Sequence, residues 1–102
     1  MAAILYVRIK SEVDIKELNR RMLERKPEFL KVPGLVQKFY GRDEINDCWC
    51  GVYIFESQEA LSAYANSELA KTIPSAYEAV EVRKEVYDLL FPLHPDRGPV
   101  MG

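Results

Sequence analysis

Apolar and polar positions alternate along the first strand-length stretch of the chain. From Ala3 to Lys10, Leu5, Val7 and Ile9 fall on one side, and Tyr6, Arg8 and Lys10 on the other. That period of two predicts a strand. Asp14 then offers a helix cap. Behind it Ile15, Leu18, Met22, Phe29 and Leu30 form an apolar stripe at helical spacing, interrupted at Pro27 and ended at Pro33-Gly34. At Pro27 the pattern predicts a kink or the start of a short second segment. Leu35 to Arg42 reads as a second strand, and the polar stretch 41–47 as a turn leading into a third. The third strand, Cys48 to Phe55, is apolar on both sides: Cys48, Cys50, Val52 and Ile54 on one, Trp49, Gly51, Tyr53 and Phe55 on the other. Ser57 caps a second helix with Glu59 in its first turn. Leu61, Tyr64 and Ala65 give that helix its stripe, which extends to Leu69 if the helix continues, and Pro74 ends or bends it. Val80 to Leu90, rich in valine, is the fourth strand.

The order βαββαβ is an α+β, ferredoxin-like plan with a four-stranded antiparallel sheet. Two helices cover one face of such a sheet. An uncovered antiparallel face is often polar, yet strand three has no polar row to place there. The row Trp49, Tyr53 and Phe55 is expected on the uncovered face, because aromatic and polar residues share faces in strands one and two. Left bare, it would be a large apolar patch. Its burial is worth several kcal/mol at ~25 cal/mol per Å². Two sheets packed across a two-fold axis would supply the cover, so a homodimer is expected.

Composition narrows the function. The 102 residues suffice for one domain, expected over 1–92 and followed by a tail over 93–102. A net charge of −2, from 14 basic and 16 acidic residues, argues against nucleic acid as a partner. Arg20, Arg21, Arg25 and Lys26 are interleaved with Glu17, Glu24 and Glu28 and read as a solvated helix face. No apolar run is long enough to cross a membrane, and the N-terminus lacks a basic signal-peptide region. A cytoplasmic location is expected, with no membrane partner. Cys48-x-Cys50 lacks the further ligands of a zinc site and reads as core packing, so no metal is assigned.

Pro33-Gly34-Leu35 entering strand two, and the run from Gly51-Val52-Tyr53-Ile54-Phe55-Glu56-Ser57 through Gln58-Glu59-Ala60-Leu61-Ser62-Ala63-Tyr64, resemble the dimeric α+β barrel superfamily. The closer resemblance is to its small YdhR-like mono-oxygenases, relatives of the antibiotic-biosynthesis mono-oxygenases. Glu85-Val86-Tyr87-Asp88-Leu89 before Pro92-Leu93 fits the end of strand four in that group. The resemblance covers about Ala3 to Leu93. It implies a homodimer enclosing a barrel, and a pocket either within that barrel or between sheet and helices. It also implies oxidation of a small aromatic or polyketide-like substrate by molecular oxygen, without cofactor. Such chemistry asks for a dry aromatic pocket, a proton acceptor, and a donor or cation for the developing oxyanion. Haem-degrading relatives use an asparagine, a tryptophan and a histidine. Here strand one carries Tyr6 and Arg8, Tyr64 stands nearest the tryptophan position, Pro74 near the histidine position, and the sole histidine, His94, is in the tail. That route is not expected. The missing internal histidine also leaves the mono-oxygenase without an obvious base.

In this reading Arg8 and Tyr6 orient an enolate or phenolate, with Tyr64 as a further catalytic candidate, and Trp49, Tyr53 and Phe55 form the substrate-binding wall. A closed pocket of roughly a few hundred Å³ is expected. Arg8 needs a carboxylate or an anionic ligand, and Glu85 is the structural candidate. Lys38, beside Tyr40 on strand two, reads as a surface residue or a support for an anion near the barrel mouth. The alternative to a mono-oxygenase is a non-catalytic small-ligand-binding or regulatory module on the same dimeric scaffold.

Overall fold

A computed structural model describes residues 1–95; most of the expected tail, from residue 96 onward, lies outside the described residues. The elements are β1 (Ala3–Ser11), α1 (Ile15–Leu30), β2 (Leu35–Asp43), β3 (Cys48–Phe55), α2 (Gln58–Ala65), α3 (Glu68–Lys71), α4 (Ile73–Ala76) and β4 (Ala79–Asp88). The strands form one antiparallel sheet in the order β2-β3-β1-β4. This is the ferredoxin-like βαββαβ arrangement, with the helices on one face.

Local chemistry explains the helix boundaries. The Asp14 carboxylate accepts from the Lys16 N–H at the start of α1, and Ser57 Oγ from the Ala60 N–H at the start of α2. Pro27 sits inside a single α1 rather than opening a separate segment. Both Pro27 and Leu23, whose carbonyl would have received the missing N–H, are exposed, so water can take that bond. The second helix does not run on to Leu69. It stops at Ala65, and Ser67 caps the short α3. Pro74 lies in the first turn of α4, where a missing N–H leaves no intrahelical bond unmade.

Register decides which residues are inside. Ala3, Leu5, Val7 and Ile9 of β1 stand opposite Phe55, Tyr53, Gly51 and Trp49 of β3. These rows share the helix-covered face, and all of them except Gly51 are buried. Leu18 and Phe29 of α1, Leu61 and Tyr64 of α2, Ala70, Ile73 and Tyr77 complete the core. The expected placement of Trp49, Tyr53 and Phe55 on the uncovered face is therefore reversed. Large rings bury the most area, and their cross-strand neighbours on β1 are the purely aliphatic row. The other face of β3, with Cys50, Val52 and Ile54 only partly covered, is the open one.

A β-bulge sets the parity of β2. Leu35 pairs with Phe55 but Gln37 pairs with Ile54, so Val36 is an extra residue. Beyond it Lys38 stands opposite Tyr53 and Tyr40 opposite Gly51. Both are thereby on the helix-covered side together with Leu35. Just before the strand, Gly34 holds φ +77°, and a Cβ there would come 2.5 Å from that of Ala60.

Candidate functional site

The helix-covered side of β2 and β3 gathers the unusual chemistry. The half-buried Lys38 places Nζ 3.5 Å from the ring centre of Phe29, 4.3 Å from that of Tyr40 and 4.4 Å from that of Tyr53. No carboxylate lies within ion-pair distance of it among the described residues. Ring faces attract an ammonium, whereas loss of water favours the neutral amine. Burial prevails, assisted by the charge of Arg25, and brings the Lys38 pKa down to about 7.

Tyrosines surround this amine. Tyr64 donates a hydrogen bond to the hydroxyl of Tyr53 at 3.1 Å, and their ring centres are 5.2 Å apart. Phe55 stacks beside Tyr53 at 6.2 Å and meets Tyr64 at 5.5 Å. Burial pushes Tyr40 up to about 12, and pushes Tyr53, Tyr64 and Tyr77 above the ordinary phenol value too. At neutral pH these phenols are protonated and able to donate. Arg25 bonds to Thr72 Oγ1 at 2.9 Å, and its guanidinium lies 5.6 Å from the ring centre of Tyr77. Arg25 Nε and the Tyr77 hydroxyl are buried without a partner among the described residues. Unpaired polar atoms of this kind are costly, and they sit beside the crevice that holds Lys38.

Two neighbouring clefts lie on this side. A small one of about 30 Å³ is bordered by Lys38, Tyr40, Trp49, Tyr53 and Tyr77. Another of about 200 Å³ is bordered by Asn19, Met22, Leu23, Lys26 and Tyr40. Met22 and Tyr40 border both. A separate open groove of about 430 Å³ runs past Tyr64 between the end of α1 and α2. On the opposite side of the sheet an open cleft of about 530 Å³ is bordered by Arg8, Lys10, Cys48, Glu81 and Arg83.

The sheet divides the residues singled out from sequence. Trp49, Tyr53, Phe55 and Tyr64 lie on the helix-covered side. Tyr6 and Arg8 lie on the open face, opposite Val52 and Cys50. The two groups do not meet within one chain. Arg8 reaches Asp43 Oδ2 at 3.4 Å rather than Glu85. Glu85 instead pairs with Arg83 at 2.7 Å, while register places it beside Tyr6. Among the described residues no three metal-ligating side chains cluster, and no helix is long and apolar enough to cross a membrane.

Comparison with known proteins agrees with this architecture. The family model described as "Putative mono-oxygenase ydhR" matches residues 4–94. The fold is similar to that of SnoaB, a cofactor-independent oxygenase from Streptomyces nogalater, at TM-score 0.73 and 11% identity over 90% of this chain and 96% of that one. It is also similar to the NE2512 protein of Nitrosomonas europaea, with TM-score 0.73, 16% identity and coverage of 92% and 94%. A dimeric ferredoxin-like protein from Jannaschia sp. CCS1 matches at TM-score 0.67 and 13% identity, over 87% of this chain and all of the other. At these identities the likeness concerns the fold. No curated protein matches the chain significantly.

Proposed function

Because the chain belongs to the family described as "Putative mono-oxygenase ydhR", we propose that it oxidises a small, weakly acidic aromatic substrate with molecular oxygen, without a cofactor. The observation that carries this reading is the Lys38 amine, held among three aromatic rings with no carboxylate to neutralise it. In its neutral form it is a proton acceptor of the kind this chemistry needs. It takes a proton from a phenol or from a methylene flanking a ring ketone. The electron-rich anion then reacts with oxygen, and a methylene so oxidised becomes a carbonyl, its two hydrogens leaving as water with the second oxygen atom. Tyr40 and Tyr53, kept protonated, supply hydrogen bonds to the oxyanion. Trp49 walls the small cleft beside Lys38, Phe55 and Tyr64 support Tyr53, and the substrate ring occupies the neighbouring cleft at Tyr40. Arg8 and Tyr6 have no part in this step.

The test is oxygen uptake with anthrone-like and quinol substrates. The rate is expected to rise with pH through a single ionisation near 7, since the neutral amine is the active form. Lys38→Met is expected to lower kcat by roughly 10²–10⁴-fold, the usual span for a general base. Binding of such substrates with no uptake at any pH would overturn catalysis and leave a ligand-binding module.

The open face supports a second part of the proposal, that two copies pair through it. Phe39, beside Val52, is 45% exposed there, and Tyr87, beside Ile4, is 50% exposed. The apolar part of that face, flanked by Arg8, Arg83 and Glu85, is suited to the same face of a second copy.

A further inference from the structure

We propose that residues 90–93 form an arm that packs on the open sheet face of a second copy, so that each copy of the pair clasps the other. The inference rests on the pairing proposed above and names the segment that makes the pair stable. The sheet releases the chain at Leu89, whose N–H donates to the Ala2 carbonyl at 3.0 Å. Beyond it come Leu90, Phe91, Pro92 and Leu93. Leu90, Phe91 and Leu93 are 81%, 78% and 84% exposed, and among the described residues no backbone hydrogen bond holds this segment. Single apolar side chains at a surface are ordinary. Three large ones within four positions make a patch that calls for a partner, whereas a solvated tail would be polar.

Area and position point to the occupant. Four strands ~4.8 Å apart, each about eight residues long at ~3.4 Å per residue, give the open face a footprint of roughly 500 Å². The cleft bordered by Arg8, Lys10, Glu81 and Arg83 takes one end of it, which leaves the apolar part around Phe39, Val52 and Ile54 about half. A stable pair needs about 800 Å² from each partner. Even doubled for the relief of its side chains, the apolar part stays well short of that. Phe91 adds on the order of 150 Å², and two leucines of similar exposure bring the total close to the requirement. The arm also starts at the right end. Asp88 pairs with Ala3, and Ala3 with Phe55, so residue 90 leaves the sheet beside Ile4, Ile54 and Tyr87 and far from Lys10. Pro92 has no N–H to extend a ladder, so the arm is held by side-chain packing rather than as an added strand.

The experiment is sedimentation of the full chain over a dilution series. The double variant Phe91→Ser, Leu93→Ser is expected to raise the dissociation constant of the pair by roughly 100-fold or more, with the circular dichroism spectrum unchanged. Ile45→Ser, equally apolar to polar and 92% exposed in the turn between β2 and β3, is expected to leave it unchanged. Photo-cross-linking locates the arm. With Phe91→p-benzoylphenylalanine, irradiation of mixed isotope-labelled and unlabelled chains should join one kind to the other through peptides of β2 or β3. A double variant that pairs as tightly as the unaltered chain, or adducts confined to a single chain, would overturn the arm and leave the sheet pairing standing. A single-chain mass for the unaltered protein at micromolar concentration would overturn both.

Discussion

The amine of Lys38 lies where water has little access, and this has a thermodynamic signature. An unfolded lysine titrates near 10.4, whereas in the fold this one titrates at about 7. Between those values the unfolded chain binds more protons than the folded one, so stability rises with pH across that window. Lys38→Met keeps the length of the side chain and removes the charge. It is expected to stabilise the fold at pH 6–7 by ~1–2 kcal/mol. In chemical denaturation the gain should shrink as pH approaches 10; a gain constant from pH 6 to pH 10 would contradict the assignment. Above about pH 10 the comparison ends, because the buried Tyr53, Tyr64 and Tyr77, with raised pKa values, then lose their own stabilising contribution. The importance of Lys38 was hidden in the sequence. Counting alternately from Leu35 puts Leu35, Gln37 and Phe39 on one face and Lys38 on the other. With Leu35 buried, Lys38 would then be on the surface, and only the extra residue at Val36 reverses that. A bulge of this kind leaves no periodic signal.

The elements themselves were more legible. Strand alternation, the Asp14 and Ser57 caps and the Pro33-Gly34 stop place β1, α1, β2, β3 and the start of α2 within a residue or two, because each depends on local chemistry. Which face of β3 turned inward was not local. It follows from register with β1, a long-range property that no single strand states. The α1–β2 connection offers a sharp test at this scale. Gly34 carries a positive φ and nearly touches Ala60, so Gly34→Ala meets both backbone strain and a clash between α1's exit and α2. A loss of ~2–4 kcal/mol is expected by thermal or denaturant unfolding. A loss below about 0.5 kcal/mol would mean that the connection is free to move.

The whole molecule leaves one side of its sheet without cover, and the two-fold pairing proposed above has a direct test. Light scattering at micromolar concentration is expected to give twice the mass of 11.8 kDa. Val52→Glu, in the middle of the open face, should shift the mass to that of a single chain while the circular dichroism spectrum stays the same. A single-chain mass for the unaltered protein would refute the pairing. The sequence did announce that β3 needs cover on both sides, although the row left for a partner is Cys50, Val52 and Ile54 rather than the aromatic one.

The sheet is a single backbone thick, and the proposed pairing and the proposed chemistry fall on opposite sides of it. Along β3, Tyr53 belongs to the crevice while its neighbours Val52 and Ile54 belong to the open face; along β2, Lys38 and Phe39 divide in the same way. On the proposed pairing and chemistry, neighbouring positions answer to different demands: substitutions at the even positions of β3 alter the open face, and those at the odd positions alter the crevice. No side chain on that strand has to serve both.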